Sequence, residues 1–158
     1  MNNKYPYLPE GREIKYVEES DIFIQEAKKY RDNFSTDHNH PTGAVIVLNN
    51  KIIGYGANQS AIKNKTLLNF HKKYICIRKI LRIKSGEKYW LCPGCASSIH
   101  HAETRAVNDA LKKTDSIFNA DLYLYGHWWC CKPCWDSMIN AGIRDVYLIN
   151  NADKLFKK

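Results

Sequence analysis

The sequence contains no long hydrophobic run. Nothing in its 158 residues approaches the roughly 20 consecutive apolar residues that a membrane-spanning helix needs. The N-terminal stretch MNNKYPYLPEGREIKY lacks the apolar h-region of a secretory signal. Internal repeats and low-complexity segments are absent too, so neither a repeat array nor a disordered tract is indicated. These absences point to a cytoplasmic protein that does not associate with membranes. The chain is too short for two ordinary domains and long enough for one with its own core, so residues 1–158 are read as a single domain. Hydrophobic residues at 44% and charged residues at 25% are ordinary for a globular chain. Six cysteines, Cys76, Cys92, Cys95, Cys130, Cys131 and Cys134, would suggest disulfides in a small secreted protein. In a cytosolic chain, C-x-x-C spacings point instead to metal or redox chemistry.

Acidic residues are nearly missing from one segment. Residues 61–90 hold nine Lys or Arg against one acid, Glu87, and so account for the whole net charge of +8; the remainder carries 15 basic and 15 acidic residues. A basic patch suits a phosphate-bearing substrate or nucleic acid, and a solvated helix face explains it equally well.

Local patterning predicts α-β-β-α-α-β-α-β. Residues 1–19 read as a polar, irregular lead-in. Ser20 is placed to N-cap a helix over about 21–33 with Phe23, Ala27 and Tyr30 on one stripe. The loop STDHNHPTG follows, its His38 and His40 read as loop residues rather than ligands. AVIVL and KIIGYG form a hairpin turning at Asn49-Asn50. Leu67, Phe70, Tyr74, Ile77 and Leu81, spaced 3, 4, 3 and 4 apart, predict one face of a helix stopped by Ser85-Gly86. A loop over 87–99 leads to a helix from about His101 to Lys113. Strands over 121–126 and 146–150 flank a last helix, with Pro133 in its first turn and Gly142 as its cap. The order predicts an α/β sandwich with helices on both faces of a mixed sheet, the last two strands parallel.

The chemistry lies in His101-Ala102-Glu103 and Cys131-Lys132-Pro133-Cys134. One imidazole and two thiolates make a zinc set, and three protein ligands leave a position for water. Each group sits where a helix begins, and the positive end of the helix dipole favours thiolate. Glu103 can reach a metal-bound water without ligating and shuttle its proton. The alternative is a structural site in which Cys131 and Cys134 join Cys92 and Cys95.

H-x-E followed by C-x-x-C resembles the zinc deaminase signature. Over about residues 20–150 the sequence resembles the cytidine/deoxycytidylate deaminase superfamily: TGAVIVLNNKIIGYGAN as its hairpin, HAETRAVNDAL as its first catalytic helix, and CKPCWDSMINAGIRDVYLI as its second helix and following strand. CIRKILRIKSGEKYWLC resembles an insert of bacterial and phage-type deoxycytidylate deaminases, here at about 60–99. The resemblance implies a three-layer α-β-α sandwich with four to five strands and a homo-oligomer. It also implies zinc on His101, Cys131 and Cys134, proton transfer by Glu103, and substrate contacts at Asn58 and Ala102; one or both of Trp128 and Trp129 are read as stacking on the base, and the basic patch or Arg105 as meeting the phosphate. Three features depart from the family. Cys130 replaces its proline, Arg105 replaces its asparagine, and the usual final helix and fifth strand look missing or shortened.

Cys92-Pro-Gly-Cys95 is a knuckle-like turn in which glycine lets two sulfurs face one ion. With Cys76 it is read as a second, structural zinc site, as in some phage-type relatives, with His71 or His100 as the fourth ligand. The alternative is three buried reduced cysteines. The leading expectation is hydrolysis of dCMP to dUMP, zinc-bound hydroxide attacking C4. Two alternatives stand beside it. One is deamination of a base in single-stranded DNA or RNA, including tRNA. The other is a non-catalytic, zinc-containing nucleic-acid-binding protein.

Overall fold

The predicted hairpin is present: β2 (Gly43–Leu48) and β3 (Lys51–Ala57) pair antiparallel. Asn49 and Asn50 both take positive φ, 51° and 60°, as the two central residues of a type I′ turn do. In the computed structural model, which describes residues 6–37, 39–84 and 87–157, this hairpin is one edge of a five-stranded sheet ordered β1-β5-β4-β2-β3. β4 (Asp121–Tyr125) runs antiparallel to β2 and parallel to β5 (Val146–Ile149). The helix between them, α5 (Lys132–Asn140), is the predicted crossover. It ends at Gly142, whose φ of 85° suits a glycine cap.

Two departures from the pattern concern the N-terminal region. Part of the presumed irregular lead-in is β1 (Ile14–Val17), parallel to β5. Four residues are too few for a period-2 signal, and an edge strand with Tyr16 turned to solvent carries little hydrophobic pattern. The fifth strand thus comes from the N-terminus, and the final helix survives as the short α6 (Ala152–Phe156). The second departure is the cap of α1 (Ile22–Phe34), which is Asp21 rather than Ser20. Its Oδ1 accepts from the N–H groups of Phe23 and Ile24 at 2.9 and 3.1 Å.

Pleat parity sets the layers. A Cβ on Gly43 would strike Ala27 and Arg31 of α1, whereas one on Gly56 would lie 2.1 Å from the Ala102 carbonyl oxygen of α4 (Ala102–Lys113). Gly43 is opposite Ala57, so Gly56, one residue back, points to the other face. Hence α1 covers one face and α4, with α5 against it, the other. The core between them includes Ile24, Val45, Leu124, Trp135, Met138 and Leu148.

The single helix expected over about 65–81 is two, α2 (Lys65–Lys73) and α3 (Ile77–Ile80), broken by extended backbone at Cys76. In an unbroken helix Cys76 would lie about 140° around the axis from His71. The break brings both to the Cys92–Cys95 turn. It also leaves the predicted apolar stripe in solvent. The expected stop, Ser85-Gly86, lies outside the described residues, as does His38.

Candidate metal centre and cleft

Two helix N-termini meet below the sheet edge. His101 precedes α4 and Cys131 precedes α5, with Cys134 in its first turn. His101 Nδ1 lies 3.5 Å from Cys131 Sγ and 3.4 Å from Cys134 Sγ, and the two sulfurs are 3.1 Å apart. Bonds of about 2.3 Å to sulfur and 2.0 Å to nitrogen at tetrahedral angles would separate such donors by about 3.5–3.8 Å. The two nitrogen–sulfur distances match, and the sulfur pair is tighter. His101 Nε2 is bonded to the Ala96 carbonyl at 3.2 Å, which makes it the N–H and leaves the Nδ1 lone pair for a metal. The hydrogen bond with Cys134 is the largest influence on Cys131, whose pKa is held down at about 5, and the same bond raises Cys134. The pair therefore retains one proton, which a cation would displace. These residues fit zinc.

Glu103 stands in the first turn of α4, buried, beside this set but outside it. Burial raises its carboxyl above the ordinary range. It opens onto a cleft also lined by Asp37, Asn39, His40, Thr42, Asn58, Arg78, Tyr89, His101, Ala102, His127, Trp129 and Cys131. Asn58 is buried and held from three sides. Its Oδ1 accepts from Ser35 Oγ at 2.6 Å and Thr42 N at 2.9 Å, and its Nδ2 donates to the His40 carbonyl at 2.7 Å.

Of the sequence-derived candidates, the fold gathers His101, Ala102, Glu103, Asn58, Trp129 and Cys131 around this cleft, with Cys134 beneath it. It leaves two outside the lining. Arg105 is exposed on α4, and Trp128 packs beside the core with Lys157 Nζ 5.1 Å from its ring centre. His127 belongs to the cleft but gave no sequence signal. Its Nδ1 accepts from the N–H groups of Trp128 and Trp129 at 3.1 and 3.3 Å, so its proton is on Nε2. Burial holds its pKa down at about 3. Arg78 and Tyr89 belong to the insert CIRKILRIKSGEKYWLC and Arg78 to the basic patch, whereas Asp37 carried no signal of its own.

The second group is His71, Cys76, Cys92 and Cys95, with one donor atom from each within 4.8 Å of the others and all four buried. His71 Nε2 is 2.9 Å from Cys92 Sγ, and Cys76 Sγ is 3.7 Å from Cys95 Sγ. His71, not His100, completes it. A Cβ on Gly94 would lie 2.3 Å from the His71 ring, so the histidine packs on the turn where only glycine fits. Four soft donors form a closed set of structural type. Cys131 and Cys134 form the other group with His101, separate from Cys92 and Cys95. The two groups are linked. Asn39 Nδ2 donates to Cys76 and Cys95 Sγ at 3.2 and 3.4 Å, and Asp37 Oδ2 accepts from Ala96 N at 2.8 Å.

An open three-donor set at two helix N-termini, with a buried carboxylate two residues past its histidine, is the arrangement of a zinc-dependent hydrolytic deaminase. The family model for the cytidine and deoxycytidylate deaminase zinc-binding region matches residues 17–150, and the chain belongs to that family. Among solved structures, the fold is similar to dCMP deaminase from the cyanophage S-TIM5 in apo form, at 19% identity over 85% of this chain and 86% of that one, TM-score 0.51. The same phage enzyme in complex with dCMP and dUMP is similar at 20% identity over 83% and 82%, TM-score 0.51. A search of curated proteins gives no match. Among the described residues, no helix is long and apolar enough to cross a membrane.

Proposed function

We propose that the protein hydrolyses the exocyclic amine of cytosine in a mononucleotide, converting dCMP to dUMP and ammonia. The observation that carries this reading is Glu103. It is a buried carboxylate beside the His101–Cys131–Cys134 donors, facing a cleft. A purely structural metal site has no use for it, which speaks against a non-catalytic zinc protein. Zinc held by those three residues supplies Lewis-acid activation of a water. Glu103 would accept a proton from the attacking water and pass protons to N3 and the departing amine, its raised pKa suiting both roles. Asn58, pre-set by its three hydrogen bonds, orients the base or sugar, and Trp129 packs against the base. Arg78 is the cation lining the cleft and meets the phosphate. We take residues 1–158 as one deaminase domain whose insert, about 60–99, walls the cleft. A second, structural zinc on His71, Cys76, Cys92 and Cys95 holds that wall. The shared fold and the insert resemblance to phage-type enzymes support dCMP as substrate.

The test is a panel of dCMP, dCTP, cytidine, deoxycytidine, cytosine-containing single-stranded DNA and tRNA, assayed for released ammonia across a salt series. Turnover of dCMP above deoxycytidine, falling only modestly with salt, is expected. Turnover of the oligonucleotide with dCMP inert would overturn the substrate and leave the zinc chemistry standing.

A further inference from the structure

The insert shows its apolar stripe to water. Leu68, His71, Cys76 and Arg78 turn inward, toward the second metal group and the cleft wall. Leu67, Phe70, Tyr74, Ile77, Ile80 and Leu81 are left 40–66% exposed. Trp90, next to the cleft-lining Tyr89, is 78% exposed. Apart from Leu68, the side chains turned inward along this segment are polar or metal-ligating, so the stripe has little core to enter. So many large apolar side chains exposed on one segment mark a surface that binds something.

Charge decides among the occupants. The band is set among exposed Lys65, Lys73, Lys79, Arg82, Lys84 and Lys88, with Glu87 the sole acid between residues 61 and 90. A second copy using the same patch in a two-fold contact would bring two identical cationic faces together, so the occupant is anionic. It also has flat apolar faces to offer. The rings of Phe70 and Tyr74 lie 5.2 Å apart between centroids, with Lys73 Nζ 5.0 Å from the Tyr74 ring centre. Alternating cations and exposed aromatic rings are how proteins hold unpaired strands, phosphates on the lysines and bases on the rings. Arg78 and Tyr89, sequence neighbours of Ile77, Lys79 and Trp90 in the patch, line the cleft.

We infer that the outer face of the insert binds single-stranded nucleic acid, bases stacking on Phe70, Tyr74 and Trp90 and phosphates lying along the surrounding lysines. This goes beyond the proposed deamination and does not depend on it, because binding here needs no turnover.

The experiment uses the full-length, zinc-loaded protein and a fluorescein-labelled 20-nucleotide oligothymidine, which contains no cytosine. Fluorescence anisotropy gives the affinity. We expect saturable binding, at least about tenfold weaker for a duplex of equal length. Affinity falls on the order of 50-fold between 50 and 200 mM salt if four phosphates are contacted. The triple variant Phe70→Ser/Tyr74→Ser/Trp90→Ser loses about 30-fold or more in affinity, with zinc content, circular dichroism and dCMP turnover unchanged. Lys65→Glu/Lys73→Glu/Lys79→Glu flattens the salt slope. Three results would overturn the inference. One is no saturable oligothymidine binding at 50 mM salt. Another is equal affinity for duplex with the aromatic triple variant unaffected. The last is a wild-type dimer in sedimentation, or binding to phosphatidylserine vesicles, that the triple variant abolishes while oligothymidine binding stays unchanged. Absence of dCMP turnover in the wild type would count against the proposed function alone.

Discussion

Glu103 is held by burial rather than by a salt bridge. No Lys, Arg or Asp is among the largest influences on its titration, which are burial and the neighbours His101, Cys131 and Cys130. Its hydrogen-bond partner is the neutral Cys130 thiol rather than a fixed cation. Glu103→Gln should retain the fold and the wild-type zinc content while turnover drops by about 10²–10⁴. Steady-state kinetics paired with elemental analysis checks this, and a variant within tenfold of wild type would show that another group moves the proton. His127 supports a different test. Burial is the largest cause of its lowered pKa, His40 and His101 add to it, and Asp37 opposes it. With the folded value near 3 and an unfolded value near ~6.5, the unfolded chain binds more protons throughout that interval. Stability should therefore rise with pH from about 4 to 6.5 and level off above. Urea midpoints measured over that range should show the slope in the wild type and a shallower one in His127→Asn. Equal slopes would mean that the imidazole is not buried neutral. The residues legible beforehand, His101, Glu103, Cys131 and Cys134, announced themselves because each lies within a few positions of a partner and the spacing alone carries the chemistry. His127 and Asp37 had no such neighbour. Tertiary contacts make them part of the cleft, and one sequence does not display those.

Among the elements, the contact of α4 with β3 is what aims the site. Backbone meets backbone there, since a Cβ on Gly56 would lie 2.1 Å from the Ala102 carbonyl and 2.4 Å from the Ala106 nitrogen. Neither atom is at the end of a flexible side chain. Gly56→Ala should therefore cost about 1–3 kcal/mol by overpacking. It should also lower turnover by tilting the α4 N-terminus that carries Glu103. Chemical denaturation and the dCMP assay report the two effects, and an unchanged midpoint would show that the strand gives way freely. The two metal groups separate by element as well. Cys92→Ser should lose one zinc per chain and mainly stability, and Cys131→Ser should lose the other and all activity. Elemental analysis finding one zinc in active wild-type protein would remove the structural ion from the account. The hairpin, α4, β4, α5 and β5 were legible because period and punctuation agreed, with Asn-Asn at the turn, Pro133 at a helix start and Gly142 at its end. The stripe from Leu67 to Leu81 was misleading. Its 3–4 spacing is real, but the inward side of those helices is taken by His71, Cys76 and Arg78, a constraint set by ligands rather than by hydrophobicity.

At the scale of the molecule, the last strand of the sheet to be placed is the first one made. β1 has β5 as its sheet neighbour, Lys15 bonds Asp145 at 2.9 Å, and Arg12 donates to the carbonyls of Ile143 and Arg144 at 3.1 and 2.8 Å. All of these partners lie about 130 residues downstream in the sequence. A ribosome adding about 5–20 residues per second leaves the β1 segment waiting on the order of ten seconds before its partner strand exists. For most of that interval the segment has no partner strand, and for roughly the last 20 residues β4 is an open edge on the side that β5 will cover. The polar, charged character of residues 8–19, which hid the strand from pattern reading, is also what keeps it soluble while it waits. A nascent chain stalled before Val146 emerges should accordingly be bound by chaperones that recognise unpaired strand edges, and should let go once β5 is released.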